Sequence, residues 1–345
     1  MKVIFLYTEL AGYIRACFER LAQSGAEVHV VAYPINREAP FRFGEKSEAI
    51  YYDRSEMTAV SLNELINEVY PNALFCSGWI DKGYIESVTK APLTINKVLI
   101  SDNAFSGRLR EYVSLLRAKT KYKKVFDYAF VSGEPQKKYA LKMGFEKHQV
   151  FTGFYTADEE IFRQLKTKNE NADFPKRFVY VGRYIDFKGV RNLWDMVSFM
   201  AARGWELHCA GVGDLWDERP IQEGVFHYGF LQSSGLLKLM AEGGVFILPS
   251  HKEPWGVVVH EFAAAGFPLL LSNRVNSSSA FLVEEKNGFS FRANKNSALE
   301  KSLDKIMNLS SVELNEMAMF SRELSRVFSV SKWLKTVEVI ANRKK

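Results

Sequence analysis

The sequence predicts an α/β protein in which two doubly wound parallel sheets are each covered by helices on both faces. Short apolar runs alternate with stretches of helical periodicity along most of the 345 residues, and this alternation is typical of consecutive βαβ units. A polar, aperiodic stretch at residues 166–176 separates two such series. The hydrophobic content of 47% is enough for two separate cores. We therefore expect two facing Rossmann-like domains with a cleft between them.

The first series of strands and helices begins at the N-terminus and continues to residue 165. Strands of a parallel sheet are buried on both faces, so they appear as short and nearly continuous apolar runs. Helical periodicity follows the first of these runs at residues 12–24, and it recurs in the stretch SLNELINEVY. The apolar runs of this series are KVIFLY, EVHVVAY, EAIYYD, ALFCSG, KVLIS and YAFVS. We interpret residues 1–165 as one domain.

The second series repeats this alternation after residue 176. Helices are predicted at residues 190–203, from residue 234 and from residue 256, and further helices occupy residues 297–343. The apolar runs between them are FVYVG, ELHCAG, GVFHYG, VFILPS and PLLLS. We interpret residues 176–327 as a second domain. Ligands of such sheets bind beyond the carboxyl ends of the strands, so the loops that follow these runs are the candidate sites.

The composition argues against several classes of protein. No apolar run reaches the ~18 residues that are needed to span a bilayer. The N-terminal stretch MKVIFLYTEL lacks a small-residue cleavage site after its apolar run, so we interpret it as a buried strand and not as a signal peptide. Cys17, Cys76 and Cys209 are far apart and flanked by apolar residues, which indicates buried thiols and no metal site. We expect a cytoplasmic protein.

The positive charge is concentrated in one segment. The net charge is +6, and residues 101–150 contain 11 Lys and Arg against 5 Asp and Glu. No nucleic-acid recognition motif accompanies this segment. One interpretation is a core-packed helix with a solvated basic face, and the other is peripheral contact of residues 108–124 with anionic lipid headgroups or an acidic, lipid-linked acceptor. The apolar positions at helical spacing are Leu109, Tyr112, Val113 and Leu116, and the basic ones are Arg108, Arg110, Arg117, Lys119, Lys121, Lys123 and Lys124.

Two cations and several glycines follow the first strands of the second domain. The run FVYVG ends at Gly182, and the cations Arg183 and Lys188 come after it, five positions apart. Two cations at a strand end can neutralise a diphosphate, although a solvated loop can contain the same residues. Gly211 and Gly213 follow the next strand, and such a pair indicates a tight turn or a close approach of the backbone to another group.

The stretch LPSHKEPWGVVVHEFAAAGFPLLLS, residues 248–272, contains two carboxylates in apolar surroundings. We predict a helix whose first turn contains Pro254, with Glu253 just before it and Glu261 about two turns in. The backbone N–H groups near Gly256 would then lie at a helix N-terminus, which is an anion-binding position. An ionised carboxylate such as Glu261 is costly in apolar surroundings unless it has partners. A structural arginine would satisfy it, and so would two vicinal hydroxyls such as those of a ribose.

These pieces resemble the donor-binding domain of family-4 retaining glycosyltransferases of GT-B fold. The resemblance covers roughly residues 178–291 and rests on motifs in the family's order and spacing: VGRYIDFKG, AGVGD, FHYGFL, LPSHKEPWGVVVHEFAAAGFPLLLS and NGFSF. It implies that Glu253 contacts hydroxyls of the donor sugar and that Glu261 contacts the nucleotide ribose. It also implies that Arg183 and Lys188 hold the diphosphate. The remaining donor-binding positions that it implies in this domain are Gly182, Gly211, Gly213, Pro254, Trp255, Gly256, Val257 and Val258.

The first half of the chain departs from the family's pattern at two places. Members often have a Gly-rich turn after the first strand, where this sequence has only Gly12. Many also have a histidine after the strand that corresponds to KVLIS, where this sequence has Asp102. Asp102 would contact the donor sugar or the acceptor hydroxyl, or it would cap the following helix. By its position this half would bind the acceptor, and the helix within residues 328–345 would cross back onto it.

The resemblance implies a retaining glycosyltransferase that moves a hexose from a nucleotide-diphosphate sugar to a glycan or lipid-linked acceptor in polysaccharide biosynthesis. UDP is favoured because it is the commonest donor nucleotide of this group. No Asp-x-Asp metal motif occurs in the sequence, so we expect no metal and no cofactor besides the nucleotide sugar. Two alternatives stay open, a nucleotide-sugar epimerase of the same fold and a non-catalytic nucleotide-sugar binding subunit. Turnover of a donor with an acceptor distinguishes an enzyme from the binding subunit, whereas binding of the donor alone does not.

Overall fold

The structure, a computed structural model, describes residues 1–34, 40–44, 46–105, 107, 111–112, 115–116, 118–170 and 173–344. These residues form two compact units. The first comprises the described parts of residues 1–36, 41–156 and 328–345, and the second comprises those of residues 37–40 and 157–327. Apart from the two ends of the short segment 37–40, the chain passes from the first unit to the second between Thr156 and Ala157, and it returns between Val327 and Phe328.

A parallel sheet of seven strands lies in the described part of the first unit. The strands are β1 (Lys2–Glu9), β2 (Glu27–Tyr33), β3 (Ile50–Asp53), β4 (Ala73–Ser77), β5 (Asn96–Ser101), β6 (Tyr128–Val131) and β7 (Val150–Thr152). They are ordered β3-β2-β1-β4-β5-β6-β7. The sequence predicted the first six and missed β7, which is only three residues long.

The described part of the second unit contains a parallel sheet of six strands. The strands are β8 (Arg177–Val181), β9 (Glu206–Ala210), β10 (Val225–His227), β11 (Val245–Leu248), β12 (Leu269–Ser272) and β13 (Gly288–Phe291). They are ordered β10-β9-β8-β11-β12-β13, so the direction of winding reverses between β8 and β11. Two doubly wound parallel sheets are thus present, as the sequence predicted.

Helices connect most of these strands. Those of the first part of the chain are α1 (Gly12–Gln23), α2 (Ala59–Val69), α3 (Lys82–Lys90), α4 (Glu134–Lys142) and α5 (Glu159–Arg163). The later ones are α6 (Val190–Trp194), α7 (Val197–Ala201), α8 (Ser233–Ala241), α9 (Val257–Ala264), α10 (Ser278–Phe281), α11 (Asn296–Met307), α12 (Ser311–Leu324) and α13 (Val330–Ala341). The predicted helix 190–203 is divided into α6 and α7, because the N–H of Met196 donates to the carbonyl of Leu193 and tightens the turn between them.

The division into units differs from the predicted boundary at residues 166–176. Residues 157–165 lie in the second unit, because α5 packs against α9 in that unit. At the other end of the chain, α13 lies in the first unit and packs against α1. Trp333 of α13 is 1% exposed, and its ring lies 5.8 Å from that of Phe5 in β1. The last helix therefore contributes to the core of the first unit.

The basic segment is only partly described. Arg108, Leu109, Arg110, Val113 and Arg117 lie outside the described residues. Of the apolar positions that one of the two interpretations packs on the core, Tyr112 and Leu116 are 55% and 64% exposed, so that interpretation does not hold for these two residues. The neighbouring Leu115 packs against the core instead. Within the described parts of the chain, no helix is both long enough and apolar enough to cross a membrane.

Candidate active site

The predicted site residues of the second unit follow three strands that are neighbours in its sheet. Gly182, Arg183 and Lys188 follow β8, Gly211 and Gly213 follow β9, and the stretch from Glu253 to Glu261 follows β11. Because the strands are parallel, these loops lie at the same edge of the sheet. The reversal of winding between β8 and β11 also lies here, and this is where doubly wound sheets bind their ligands.

An ion pair joins the loop after β8 to the loop after β11. The Lys188 ammonium contacts the Glu253 carboxylate, whose residue is only 6% exposed. The Ser250 hydroxyl donates to the same carboxylate at 3.3 Å. The Glu253 N–H donates to the carbonyl of Arg274 at 3.1 Å, which fixes the backbone next to β12. The carboxylate and the ammonium are thus held in defined positions at the edge of the sheet.

Arg183 lies in the same loop as Lys188 and is partly buried. The Tyr180 hydroxyl donates to the Arg183 carbonyl at 2.8 Å and fixes the start of the loop. The His251 N–H donates to the carbonyl of Phe187 at 2.7 Å, which holds the loop against the residues that lead to Glu253. No sequence pattern distinguishes such supporting bonds, because a backbone carbonyl is present at every residue.

The helix after β11 begins later than the sequence predicted. Val257 is the first residue of α9, and Gly256 before it has a φ of +87°, in the left-handed region that only glycine adopts readily. Pro254 is therefore outside the helix, and its carbonyl accepts a bond from Asn276 Nδ2 at 3.2 Å. Trp255 is 2% exposed, and its ring packs edge-on against Phe281. The Trp255 side chain consequently lies in the core, and only its backbone remains a candidate ligand contact.

The N-terminus of α9 is an anion-binding position by its geometry. The first N–H groups of a helix have no acceptor within that helix, and the helix dipole adds partial positive charge there. In α9 these groups belong to Val257 and Val258, while the Val259 N–H donates back to the carbonyl of Gly256 at 3.0 Å. Glu253 lies in the loop just before this helix, and it brings the Lys188 ammonium of the neighbouring loop to the same place. The arrangement suits a ligand with both negative charge and hydroxyl groups.

Glu261 is the fifth residue of α9, a little over one turn from its start and not two. Its side chain is partly buried, and burial alone raises the pKa of its carboxyl from 4.5 to about 7. Within the described residues this carboxylate has neither an ion pair nor a hydrogen bond. A structural arginine partner, one of the two explanations suggested by the sequence, is therefore not found among them. The carboxylate is ready to accept bonds from a ligand.

The family comparison agrees with this geometry. Residues 158–322 match the family model described as glycosyl transferases group 1. The second unit contains a glycosyl transferases group 1 domain. The uncharacterized glycosyltransferase MJ1607 of Methanocaldococcus jannaschii is 33% identical over 124 residues, which are 34% of this chain and 32% of that protein. The matched segments span 26–40% of the length of the curated relatives.

Solved structures extend the likeness to nearly the whole chain. Sucrose-phosphate synthase from Thermosynechococcus elongatus is 16% identical, with a TM-score of 0.71 over 99% of this chain and 98% of that one. Anabaena HepE in complex with UDP and glucose is 12% identical, with a TM-score of 0.71 over 98% of both chains. At such identities the likeness establishes the fold. It confirms the predicted GT-B fold class.

The glycines of the group 1 domain have a structural reason that does not involve a ligand. A Cβ atom at Gly211, where φ is +139°, would lie 1.9 Å from the carbonyl oxygen of Gly182. A Cβ atom at Gly213 would lie 2.6 Å from the carbonyl oxygen of Tyr184. The ends of β8 and β9 therefore approach each other too closely for any larger residue. The sequence indicated a close approach, and the group that is approached is the neighbouring strand end.

Gly12 and Asp102 belong to the first unit, so the structure places them on the other sheet. Gly12 is the first residue of α1, directly after the loop that follows β1. Asp102 follows β5 and is partly buried, and its carbonyl accepts a bond from Gln136 Nε2 at 3.1 Å. Residues 102–105 are not helical, so Asp102 does not cap a helix there. The pKa of Tyr155 is raised, mainly by burial and next by the Asp102 charge.

Proposed function

We propose that the protein is a retaining glycosyltransferase that transfers a hexose from a nucleotide-diphosphate sugar, with UDP-sugars favoured, to a glycan or lipid-linked acceptor. The observation that supports this most is the placement of Glu261, whose carboxylate lies one turn behind a helix N-terminus and has no partner among the described residues. A nucleotide sugar offers what this edge of the sheet lacks, because its diphosphate is an anion and its ribose presents two vicinal hydroxyls.

Each residue has a separate role in this proposal. Arg183 and Lys188 hold the diphosphate together with the N–H groups of Val257 and Val258 at the start of α9. Glu261 accepts hydrogen bonds from the ribose hydroxyls, and Glu253 accepts them from the donor sugar. Lys188 is then shared between the sugar site and the diphosphate site, since it already contacts Glu253.

The chemistry follows from the charge that develops on the leaving group. As the glycosidic bond breaks, the diphosphate gains negative charge, and preorganised cations and N–H groups lower the energy of that state. The acceptor hydroxyl attacks the sugar from the face on which the diphosphate leaves, and a phosphate oxygen of the donor takes the proton of that hydroxyl. Asp102 of the first unit contacts the acceptor hydroxyl or the donor sugar. No divalent ion takes part, because the cationic side chains supply the charge that a metal would.

The proposals for the donor nucleotide and for the acceptor are supported by a structural neighbour and by surface charge. The structure of HepE, which shares the fold, contains UDP and glucose, and this supports a UDP-sugar as the first donor to test. Lys119, Lys121 and Lys124 are exposed, whereas the Lys123 ammonium lies 4.8 Å from the centroid of the Phe145 ring. We propose that the three exposed lysines meet anionic lipid headgroups and bring the enzyme to a lipid-linked acceptor.

Calorimetric titration of UDP, UDP-glucose and GDP tests the donor site directly. We expect UDP and UDP-glucose to bind and GDP to bind more weakly. Glu261→Ala should weaken binding of both uridine ligands, whereas Glu253→Ala should weaken that of UDP-glucose more than that of UDP. Equal losses for both ligands in both variants would contradict the division of roles. Release of UDP in the presence of an acceptor then separates a transferase from a binding subunit.

A further inference from the structure

The helix that contains Glu261 also contains a histidine with two bonds to distant parts of the chain. His260 is fully buried. Its Nδ1 lies 3.0 Å from the N–H nitrogen of Ala157, and its Nε2 lies 3.0 Å from the carbonyl oxygen of Ser325. Its ring also stacks on that of Phe281, with 4.4 Å between the centroids and 14° between the planes.

A single form of the imidazole satisfies both bonds. Because the Ala157 N–H can only donate, Nδ1 must be unprotonated, and because the Ser325 carbonyl can only accept, Nε2 must bear the hydrogen. This is the neutral imidazole, and burial lowers the pKa of His260 to about 4, which keeps the ring neutral near pH 7. A neutral and fully buried ring that uses both nitrogens has no free position for acid–base chemistry.

The two bonded residues lie next to the places where the chain passes between the units. Ala157 is the first residue of the second unit after the passage at Thr156, and Ser325 lies three residues before Phe328, where the chain enters the first unit again. The C-terminal end of α9 is also bonded to segments near these passages. Arg322 Nη2 donates to the carbonyl of Ala265 at 3.0 Å and to that of Leu165 at 3.3 Å. Helix α9 is thus bonded to both passages on their second-unit side.

We propose that His260 is a positioning residue that couples nucleotide binding at α9 to the segments around Thr156–Ala157 and Val327–Phe328, where the chain passes between the units. This inference rests on the proposed nucleotide site, because that site provides the ligand that acts on α9. A ligand held by the N-terminus of α9 and by Glu261 restrains this helix. The neighbouring imidazole transmits the restraint to Ala157 and Ser325 through bonds that are protected from water.

Three substitutions separate the two bonds. His260→Phe keeps the ring stack on Phe281 and loses both bonds. His260→Asn places a side-chain oxygen near the Nδ1 position, so it can still accept from Ala157, whereas His260→Gln places an amide nitrogen near the Nε2 position, so it can still donate to Ser325. His208→Phe is the control, because it removes another buried imidazole of the second unit, one that contacts Tyr228 and Glu206.

Hydrogen exchange of the peptides 154–158 and 325–329, measured with and without UDP, tests the proposal. Without ligand, the Phe variant should exchange at least about tenfold faster than the wild type in 154–158, because the Ala157 N–H loses its buried acceptor. It should also exchange faster in 325–329, because the Ser325 carbonyl loses its donor and the backbone that follows it is held less firmly. The Asn variant should do so mainly in 325–329 and the Gln variant mainly in 154–158. In the control variant His208→Phe, both peptides should exchange at the wild-type rate. This pattern is specific to each segment, and general destabilisation would not produce it.

Saturating UDP should slow exchange of both peptides in the wild type but not in the Phe variant, which keeps every side chain proposed to contact the nucleotide. The proposal is overturned if the Phe variant exchanges at wild-type rates without ligand, if the control speeds both peptides equally, or if bound UDP protects neither peptide in the wild type. Failure of UDP to bind the wild type would contradict the proposed function instead. The ligand-free comparison would then still decide whether His260 ties α9 to both passages.

Discussion

Replacement of Glu261 by glutamine should stabilise the protein and weaken its binding of a nucleotide sugar. Burial raises the pKa of this carboxyl from 4.5 to about 7, which corresponds to roughly 3 kcal/mol against the ionised form in the folded state. In the unfolded chain the group loses its proton near pH 4.5. The free energy of unfolding therefore falls as the pH rises from 4.5 to 7, and the full reduction is present above pH 7. Glutamine removes this dependence on pH.

Thermal midpoints of the wild type and Glu261→Gln between pH 4 and pH 8 measure this effect. The variant should match the wild type at pH 4 and exceed it at pH 8 by up to roughly 3 kcal/mol, with about 2–4 °C for each kcal/mol in a domain of this size. The control is Glu300→Gln on α11, where the side chain is exposed. The control should show no such gain at pH 8.

Ligand affinity should change in the opposite direction. The ionised carboxylate accepts both ribose hydroxyls, and bonds to a charged group are worth about 1.5–3 kcal/mol. UDP-glucose is the appropriate ligand, because its diphosphate is esterified at both ends and does not titrate here, whereas a terminal phosphate has a pKa of about 6. Its affinity for the wild type should rise between pH 6 and pH 8, and its affinity for Glu261→Gln should be weak and independent of pH. A wild-type affinity that is flat over this range, or a variant that gains no stability at pH 8, would refute the reasoning.

Three further outcomes are expected. Arg183→Ala and Lys188→Ala should each lower turnover by roughly 10²-fold or more. Lys188→Ala should also lower the thermal midpoint, because it leaves the buried Glu253 carboxylate without its cation; a midpoint equal to that of the wild type would contradict this. Activity should persist in EDTA, and strict dependence on magnesium or manganese would show that a set of metal ligands had been missed. Replacement of Lys119, Lys121 and Lys124 by Glu should abolish co-sedimentation with anionic vesicles at low salt, and sedimentation equal to that of the wild type would exclude a role for these lysines.

Strand positions were predictable because their signal is local. A strand that is buried on both faces must be almost wholly apolar, so runs such as VFILPS could be recognised without tertiary information. The short strand β7 lacked this signal, since two of its three residues are only partly buried. The unit boundary could not be predicted either. Residues 157–165 belong to the second unit because α5 packs on α9, and that contact joins positions about a hundred residues apart in the sequence.

The sequence indicated where the candidate residues lie along the chain, but it did not indicate how their side chains are connected. The sequence placed Arg183, Lys188 and Glu253 at neighbouring strand ends, yet it did not indicate that Lys188 and Glu253 form a pair. The glycines after β9 indicated that the backbone there lies close to another group. Only the structure identified that group as the neighbouring end of β8. The start of α9 was predicted too early, because proline favours a first helical turn and the left-handed Gly256 that prevents this is a conformational feature.

Glu261 is a charged residue in a helix whose neighbouring residues favour burial, and this disagreement points to a function. Every residue beside it in α9 favours a buried helix, and a chain selected only for stability would have an apolar side chain or a paired carboxylate at this position. The structure provides no partner for it among the described residues, and burial raises its pKa. A local rule that is broken without structural compensation is expected at a functional site. The same helix is bonded through His260 to Ala157 and Ser325, which lie next to the places where the chain passes between the units. Glu261 therefore belongs to the helix through which we propose that a bound ligand acts on these segments.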